Sequence, residues 1–231
     1  TANNKNLTFI GNNSKPKVTF PQKGYQTYYG CEFTFENLTL ECAPDENYQG
    51  IQPDKVIARN CVINGKFWGY AKDLEFTDCI FNQETSYNIW TYSSNATFKD
   101  CKFYSKGRSV LIYNEGATMN NPAEIKFNNC EFYASEKYEE KAAIEISTYA
   151  YPHQAGSFNV EINNCSATGF DTKTKAGGVV LSAGLANLKE IGVGRLLVNI
   201  DGEIVYCDFN IINKTQIKGY NTTKEAIDEA M

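Results

Sequence analysis

Apolar and polar positions along this chain follow a short pattern that recurs: apolar, any, apolar, any, Asn or Asp, Cys, any, apolar. It runs Val56 to Ile63, Leu74 to Phe81, Ala96 to Phe103, Ile125 to Phe132 and Val160 to Ala167, with a sixth copy, Phe33 to Leu40, carrying Leu38 in the Cys place. A partial copy, Asn6-Leu7-Thr8-Phe9, opens the chain. Within each copy the apolar residues alternate, the period of a half-buried strand, and the polar residue before Cys breaks that alternation as a tight turn does. Asn and Asp tolerate the left-handed backbone that such a turn requires. Each copy therefore reads as strand, one-residue bend, strand. The spacing between copies varies from 18 residues (Cys61 to Cys79) to 35 (Cys130 to Cys165) while the motif does not, and variable loops on an invariant strand frame are the signature of a solenoid.

A third short strand is predicted after each motif: Phe67 to Tyr70, Ile89 to Tyr92, Val110 to Tyr113, Ile144 to Ser147 and Val179 to Leu181. Three strands per turn, stacked at strand spacing, describe an all-β right-handed parallel β-helix of about seven coils, a rod on the order of 35 Å long. Over roughly residues 6 to 182 the pattern resembles the pectate-lyase-like β-helix superfamily, in fold pattern rather than in any catalytic signature. Beyond it, two alternating runs around Asp201-Gly202 (Leu196 to Cys207) predict a hairpin, and Thr222-Thr223-Lys224-Glu225 fits a capping box opening a helix through Met231. Residues 1–187 are thus expected to form the parallel β-helix and 188–231 a C-terminal cap of the same domain, because a solenoid must cover its apolar end. The alternative is a helix that begins a linker to a further domain.

Hydrophobic residues make up 42% and charged residues 21% of the 231-residue chain, enough for a packed core. A net charge of −5 and three arginines, Arg59, Arg108 and Arg195, argue against nucleic acid or anionic membrane as a partner. No apolar run approaches the roughly 20 residues of a membrane span, and Thr1 to Lys5 are polar, so neither a transmembrane helix nor a signal peptide is expected in this sequence.

Five of the eight cysteines, Cys61, Cys79, Cys101, Cys130 and Cys165, hold one repeat position that Leu38 also fills. Stacked coils would align their Cα–Cβ vectors, whereas a disulfide turns its Cβ atoms toward each other, so they read as buried hydrophobes in a ladder. Cys31 and Cys42 lie outside the column and are the only pair that could bridge; Cys207 has no assigned place. No metal is expected, since the chain has no CxxC and its one histidine, His153, falls in a loop. Asn37, Asn60, Asp78, Asp100, Asn129 and Asn164 form a second column, read as a side-chain hydrogen-bond ladder at the bends.

Function must come from what this frame does not demand. If Ile89, Ile112 and Ile144 point inward, alternation turns Trp90, Leu111 and Glu145 outward, and Tyr92, Tyr113 and Ser147 with them. The same phase one coil earlier adds Trp68 and Tyr70. Trp68, Tyr70, Trp90, Tyr92 and Tyr113 would then form a flat aromatic face of the kind sugar rings stack on; a phase error of one residue would bury them all. Enzymes of the resembled superfamily that cleave polyuronates use calcium held by clustered Asp/Glu with a basic residue, or paired aspartates with a Gly-His-Gly segment. This chain lacks Gly-His-Gly: His153 stands in Pro152-His153-Gln154, Arg59 is a frame residue, and Arg108 has no acidic cluster beside it. Glu145 and a loop bearing Asp45, Glu46 and Asp54 are the only carboxylates to nominate for catalysis, and neither brings a partner that would tune it. The expectation is a monomeric, non-catalytic binding or adhesion module of an exported bacterial surface protein, extracellular or on the cell surface, contacting carbohydrate or a host macromolecule without cofactor. A polysaccharide lyase or hydrolase, and a viral tail-type β-helix, are the alternatives.

Overall fold

The computed structural model describes residues 4–44, 50–84, 87–92, 95–107, 109–113, 122–138, 141–148, 157–170, 178–190, 192, 194–216, 218–220 and 222–230. Most of its described strands lie in three stacked, mostly parallel sheets, an all-β arrangement compatible with a β-helix solenoid, and a separate antiparallel pair, Ile211–Asn213 with Lys218–Tyr220, follows near the C-terminus. The first sheet has nine strands: Asn6–Ile10, Tyr25–Glu36, Gly50–Arg59, Asp73–Thr77, Asn95–Lys99, Ala123–Asn128, Phe158–Asn163, Leu196–Ile200 and, antiparallel at the edge, Glu203–Cys207. The second holds the strands that follow each bend, among them Ile80–Gln83, Lys102–Ser105 and Glu131–Tyr138. The third holds Phe67–Gly69, Ile89–Tyr92, Val110–Tyr113, Ile144–Ser147 and Ala186–Glu190, with Val179–Ser182 on its edge.

Register follows the repeat. Leu74, Ala96, Ile125, Val160 and Val198 are successive partners in the first sheet, as are Phe76, Phe98, Phe127, Ile162 and Ile200. Their side chains face inward, and the aromatic ones stack: Phe76 on Phe98 at 5.4 Å, Phe98 on Phe127 at 4.8 Å, and in the second sheet Phe81 on Phe103 at 4.6 Å and Phe103 on Phe132 at 4.7 Å. All of these rings are fully buried; parallel in-register pairing makes such a ladder inevitable, because each strand repeats the phase of the one before.

The bends are as the motif requires. Asn37, Asn60, Asp78, Asp100, Asn129 and Asn164 all have φ between 49° and 55°, the left-handed region in which a short polar side chain is least costly. Side chains link across them: Asn60 donates to Asn37 at 2.7 Å, Asn129 to Asp100 at 2.9 Å and Asn164 to Asn129 at 2.9 Å. Immediately beyond, the column thiols turn inward. Cys101 Sγ donates to the carbonyls of Lys99 at 3.3 Å and Phe76 at 3.5 Å, and Cys61, Cys79 and Cys130 repeat that pair of contacts. All eight cysteines are free thiols, so the Cys31–Cys42 bridge does not form. Cys31 is fully buried and its Sγ donates to Tyr29 O at 3.7 Å instead.

Two other expectations are corrected. Val179–Ser182 is not a third-sheet strand in the parallel run: it pairs antiparallel with Ala186–Glu190, which is the parallel neighbour of Ile144–Ser147. A turn makes the difference, with Gly184 at φ 70° and Leu185 N–H donating to Ser182 O at 3.1 Å. Asp54 lies in no loop but within the strand Gly50–Arg59; Asp45 and Glu46 fall outside the described residues, as do Arg108 and His153. The hairpin at Asp201-Gly202 is present, both residues at positive φ (50° and 87°) as a type I′ turn demands. Thr222 and Glu225 make reciprocal side-chain to backbone bonds, N–H to Oε2 at 3.1 Å and N–H to Oγ1 at 3.3 Å, that open the helix Thr223–Ala230.

Candidate ligand-binding groove

The alternation in the third sheet places Trp68, Trp90, Leu111, Glu145 and Asn187 in one row of register partners, opposite in phase to the core row Phe67, Ile89, Val110, Ile144 and Ala186. Tyr92 and Tyr113 pair in register two residues after Trp90 and Leu111. The five aromatic candidates meet in one cluster: Trp68 lies 5.4 Å from Tyr70 and 5.8 Å from Tyr92, Tyr92 lies 5.5 Å from Tyr113, and Trp90 contacts Tyr92 at 5.7 Å and Tyr113 at 6.4 Å.

This outward layer is not the open flat face that alternation alone suggests. Trp68 and Tyr92 keep only 7% and 3% of their surface, Trp90 and Tyr113 are half-buried, and only Tyr70, at 41%, is exposed. The cover is local: the Lys66 ammonium sits 4.6 Å above the Trp90 ring, Tyr87 packs edge-on against Trp90 at 5.9 Å, and Tyr25 against Trp68 at 5.1 Å. A contiguous aromatic patch of this size is rarely left wet, so neighbouring segments fold over it. Glu145 shares this fate. It is wholly buried, accepts a hydrogen bond from the Tyr87 hydroxyl and pairs with Lys141 at 3.3 Å. The sequence offered it no partner; the fold supplies two, Tyr87 from a distant segment and Lys141 from four residues before it.

Where the cluster does reach solvent, at Tyr70, it opens into a groove of about 550 Å³ lined by Thr27, Tyr29, Gln52, Asp54, Tyr70, Lys72, Tyr92 and neighbouring residues, a volume within the usual range for a ligand site. Two local irregularities build it. The first is a bulge: Tyr28 pairs with Pro53 and Glu32 with Lys55, so Tyr29, Gly30 and Cys31 stand opposite the single residue Asp54. Gly30 takes φ 66°, and a Cβ there would lie 2.0 Å from Asn4 Oδ1, so glycine is what lets the strand loop out and leave Tyr29 69% exposed. Proline at 53 fits such a site, where the ladder is interrupted. The second is the corner after Phe67–Gly69, where Tyr70 N–H donates to Trp68 O at 2.9 Å. A Cβ on Gly69 would sit 2.4 Å from Trp90 O; its absence lets the chain turn tightly and swing Tyr70 outward.

Between the two tyrosines lies a fixed polar set. Asp54 Oδ1 accepts the Gly30 N–H at 3.0 Å, Asp54 Oδ2 accepts the Lys72 ammonium at 2.6 Å, and Lys72 N–H donates to Asp54 O at 2.9 Å. Lys72, and then the Gly30 amide, hold the Asp54 carboxyl below its ordinary value, and Asp54 in turn raises Lys72. Thr27 Oγ1 donates to Gln52 Oε1 at 2.8 Å, which leaves Nε2 as the donor edge of that amide. Of these residues, repeat-based reading finds Tyr70 and Tyr92. It misses Tyr29, Gln52 and Lys72, which lie outside the motif, although Gly30 and Pro53 interrupting two strand-like runs were a signal of a bulge.

A second depression, lined by Asn82, Gln83, Glu84, Tyr104, Ser105, Lys106 and Ser135, flanks the second sheet. Its Tyr104 is stacked at 5.1 Å on Tyr133, so one ring face is already occupied. Among the described residues no group of three or more His, Cys, Asp or Glu is placed to hold a metal ion. No family model, curated protein or solved structure matches the chain.

Proposed function

We propose that this chain is a non-catalytic carbohydrate-binding or adhesion module of an exported bacterial surface protein, built as a right-handed, pectate-lyase-like β-helix of about seven coils whose segment 188–231 closes the C-terminal end. The observation that carries this reading is the groove itself: exposed aromatic rings, Tyr29 and Tyr70, flanking a compact polar set at the bulge between two paired strands. Sugar recognition needs that combination, an apolar platform for the ring face and fixed donors and acceptors for its hydroxyls. Tyr70 carries the aromatic cluster out to solvent, and the buried or half-buried members, Trp68, Trp90, Tyr92 and Tyr113, act as the packing that holds it. Catalysis finds less support. Glu145, the one carboxylate on the aromatic layer, is sealed beneath Tyr87 and does not line the groove. A glycan array probed with the wild-type chain and with Tyr70→Ala tests the proposal: saccharide binding by the first and its loss in the second is the expected result, and binding indifferent to Tyr70 would remove it.

A further inference from the structure

We infer that the groove is built for a neutral pyranose, with vicinal hydroxyls on the Asp54–Lys72 pair, rather than for an acidic sugar; this rests on the carbohydrate reading above. Asp54 and Lys72 are the only charged side chains lining the groove among the described residues, and they compensate each other at 2.6 Å. An acceptor and a donor held side by side match two adjacent hydroxyls, one donating to the carboxylate and the other accepting from the ammonium. The Gly30 amide on Oδ1 and the Lys72 amide on the Asp54 carbonyl fix the pair to the backbone before any ligand arrives, so little ordering is left for binding to cost.

A uronate would meet this site badly. Its carboxylate could reach Lys72 only by displacing or adjoining Asp54, which sets two like charges at contact distance, and no second cation lines the described groove to offset them. A neutral sugar has no such conflict. Tyr70 on one side and Tyr29 on the other supply the apolar faces, and Gln52 adds an amide donor. The bulge ties platform and clamp together, since the same Gly30 that lets Tyr29 protrude donates to Asp54.

Titration calorimetry with neutral oligosaccharides (gluco-, manno- and xylo-oligomers) and acidic ones (oligogalacturonate, oligoalginate) tests this on wild type, Tyr70→Ala, Asp54→Asn and Lys72→Met, each first checked for native circular dichroism. The expected result is binding of a neutral oligomer, little or none of the acidic ones, and a loss of about tenfold or more for each variant. Should Asp54→Asn prove unfolded, Lys72→Met and Gln52→Leu carry the same expectation. Neutral binding that falls with Tyr70→Ala but not with Asp54→Asn or Lys72→Met would overturn the hydroxyl clamp and keep the carbohydrate reading. Preference for an acidic oligomer would overturn neutrality alone. Binding of neither class, or binding unchanged by Tyr70→Ala, would overturn both.

Discussion

Asn129 donates its side-chain amide to Asp100 Oδ1 at 2.9 Å and accepts one from Asn164 at the same distance, while all three residues hold φ near 50°. One position thus performs two separable tasks, bonding along the ladder and tolerating a left-handed backbone. Asn129→Gly keeps the second and loses the first; Asn129→Ala loses both. Urea unfolding should rank wild type above Gly and Gly above Ala. The Ala deficit should be about 2 to 3 kcal/mol and the Gly deficit smaller by about 1 kcal/mol, the cost of placing a Cβ in that conformation. Equal deficits would mean that backbone handedness does not select the residue.

The same ladder has a fault. Thr77 and Lys99 are register partners, so the bend residues that follow, Asp78 and Asp100, are consecutive rungs, and two carboxylates can only accept. Asp100→Asn gives the lower rung a donor and still accepts from Asn129. Its cost is the loose 3.9 Å contact with the Lys99 ammonium, an exposed pair of little value. The variant should be more stable than wild type by about 0.5 to 1 kcal/mol, readable as a higher urea midpoint at unchanged slope; a lower midpoint would refute the rung argument.

The cysteine column makes a chemical expectation. Burial pushes the Cys101 thiol well above its ordinary range, so it should stay protonated and unreactive in the native state. Thiol labelling in denaturant should find eight free thiols, and native labelling should begin at Cys165 and Cys207, the two that are only half-buried. Cys101→Ala should cost no more than about 1 to 3 kcal/mol, whereas Cys101→Asp should abolish folding by burying an unpaired charge. A thiol count of zero in denaturant would replace the ladder with disulfides.

Much of this architecture was legible because it repeats. The left-handed bends and the inward thiols follow from a motif written six times, and the third-sheet phase that sets Trp68, Trp90 and Glu145 in one row follows from the alternating strand that recurs after it. The groove was illegible for the converse reason: it stands where the repeat is broken. Tyr29 is exposed because three residues face one across the bulge, and Asp54 meets Lys72 across 18 residues, a pairing that no periodicity encodes. Cover was the other blind spot. Alternation tells which side of a sheet Trp90 and Tyr92 face, but not that Lys66, Tyr87 and Tyr25 will roof that side: Lys66 and Tyr87 lie outside the strands, and Tyr25 begins a strand of a different sheet.

Asp54 gives the groove a pH signature. Its folded value lies below its unfolded one, so ionised Asp54 contributes stability that is fully present above the unfolded pKa, near 4, and is lost as pH falls through the lower folded value. Asp54→Asn has no such contribution to lose. Its stability deficit relative to wild type should be constant from about pH 5 to 8 and should shrink progressively below about pH 4. The side chain is one-third exposed, so the effect is small and is best read as converging urea midpoints. A deficit that grows in acid would show that the pairing with Lys72 does not hold the charge.

The aromatic cluster divides into members that support and a member that contacts, and stability should separate them. Tyr92 is 3% exposed and touches Trp68, Tyr70, Trp90 and Tyr113, so Tyr92→Ala removes a ring packed against four others and should cost about 3 kcal/mol or more, with a melting temperature lower by many degrees. Tyr70, at 41% exposure, leans on Trp68 and Tyr92 from outside, and Tyr70→Ala should cost about 1 kcal/mol or less. If saccharide affinity is then measured on both proteins below their melting temperatures, Tyr70→Ala should lose it through the missing platform while staying folded. Tyr92→Phe, which keeps the ring and its packing, should retain both stability and affinity, because it is the volume of that ring beneath Tyr70 that fixes the platform. The reverse order, a robust Tyr92→Ala and a collapsing Tyr70→Ala, would place the load of the cluster on its exposed edge and make Tyr70 a structural residue instead of the platform.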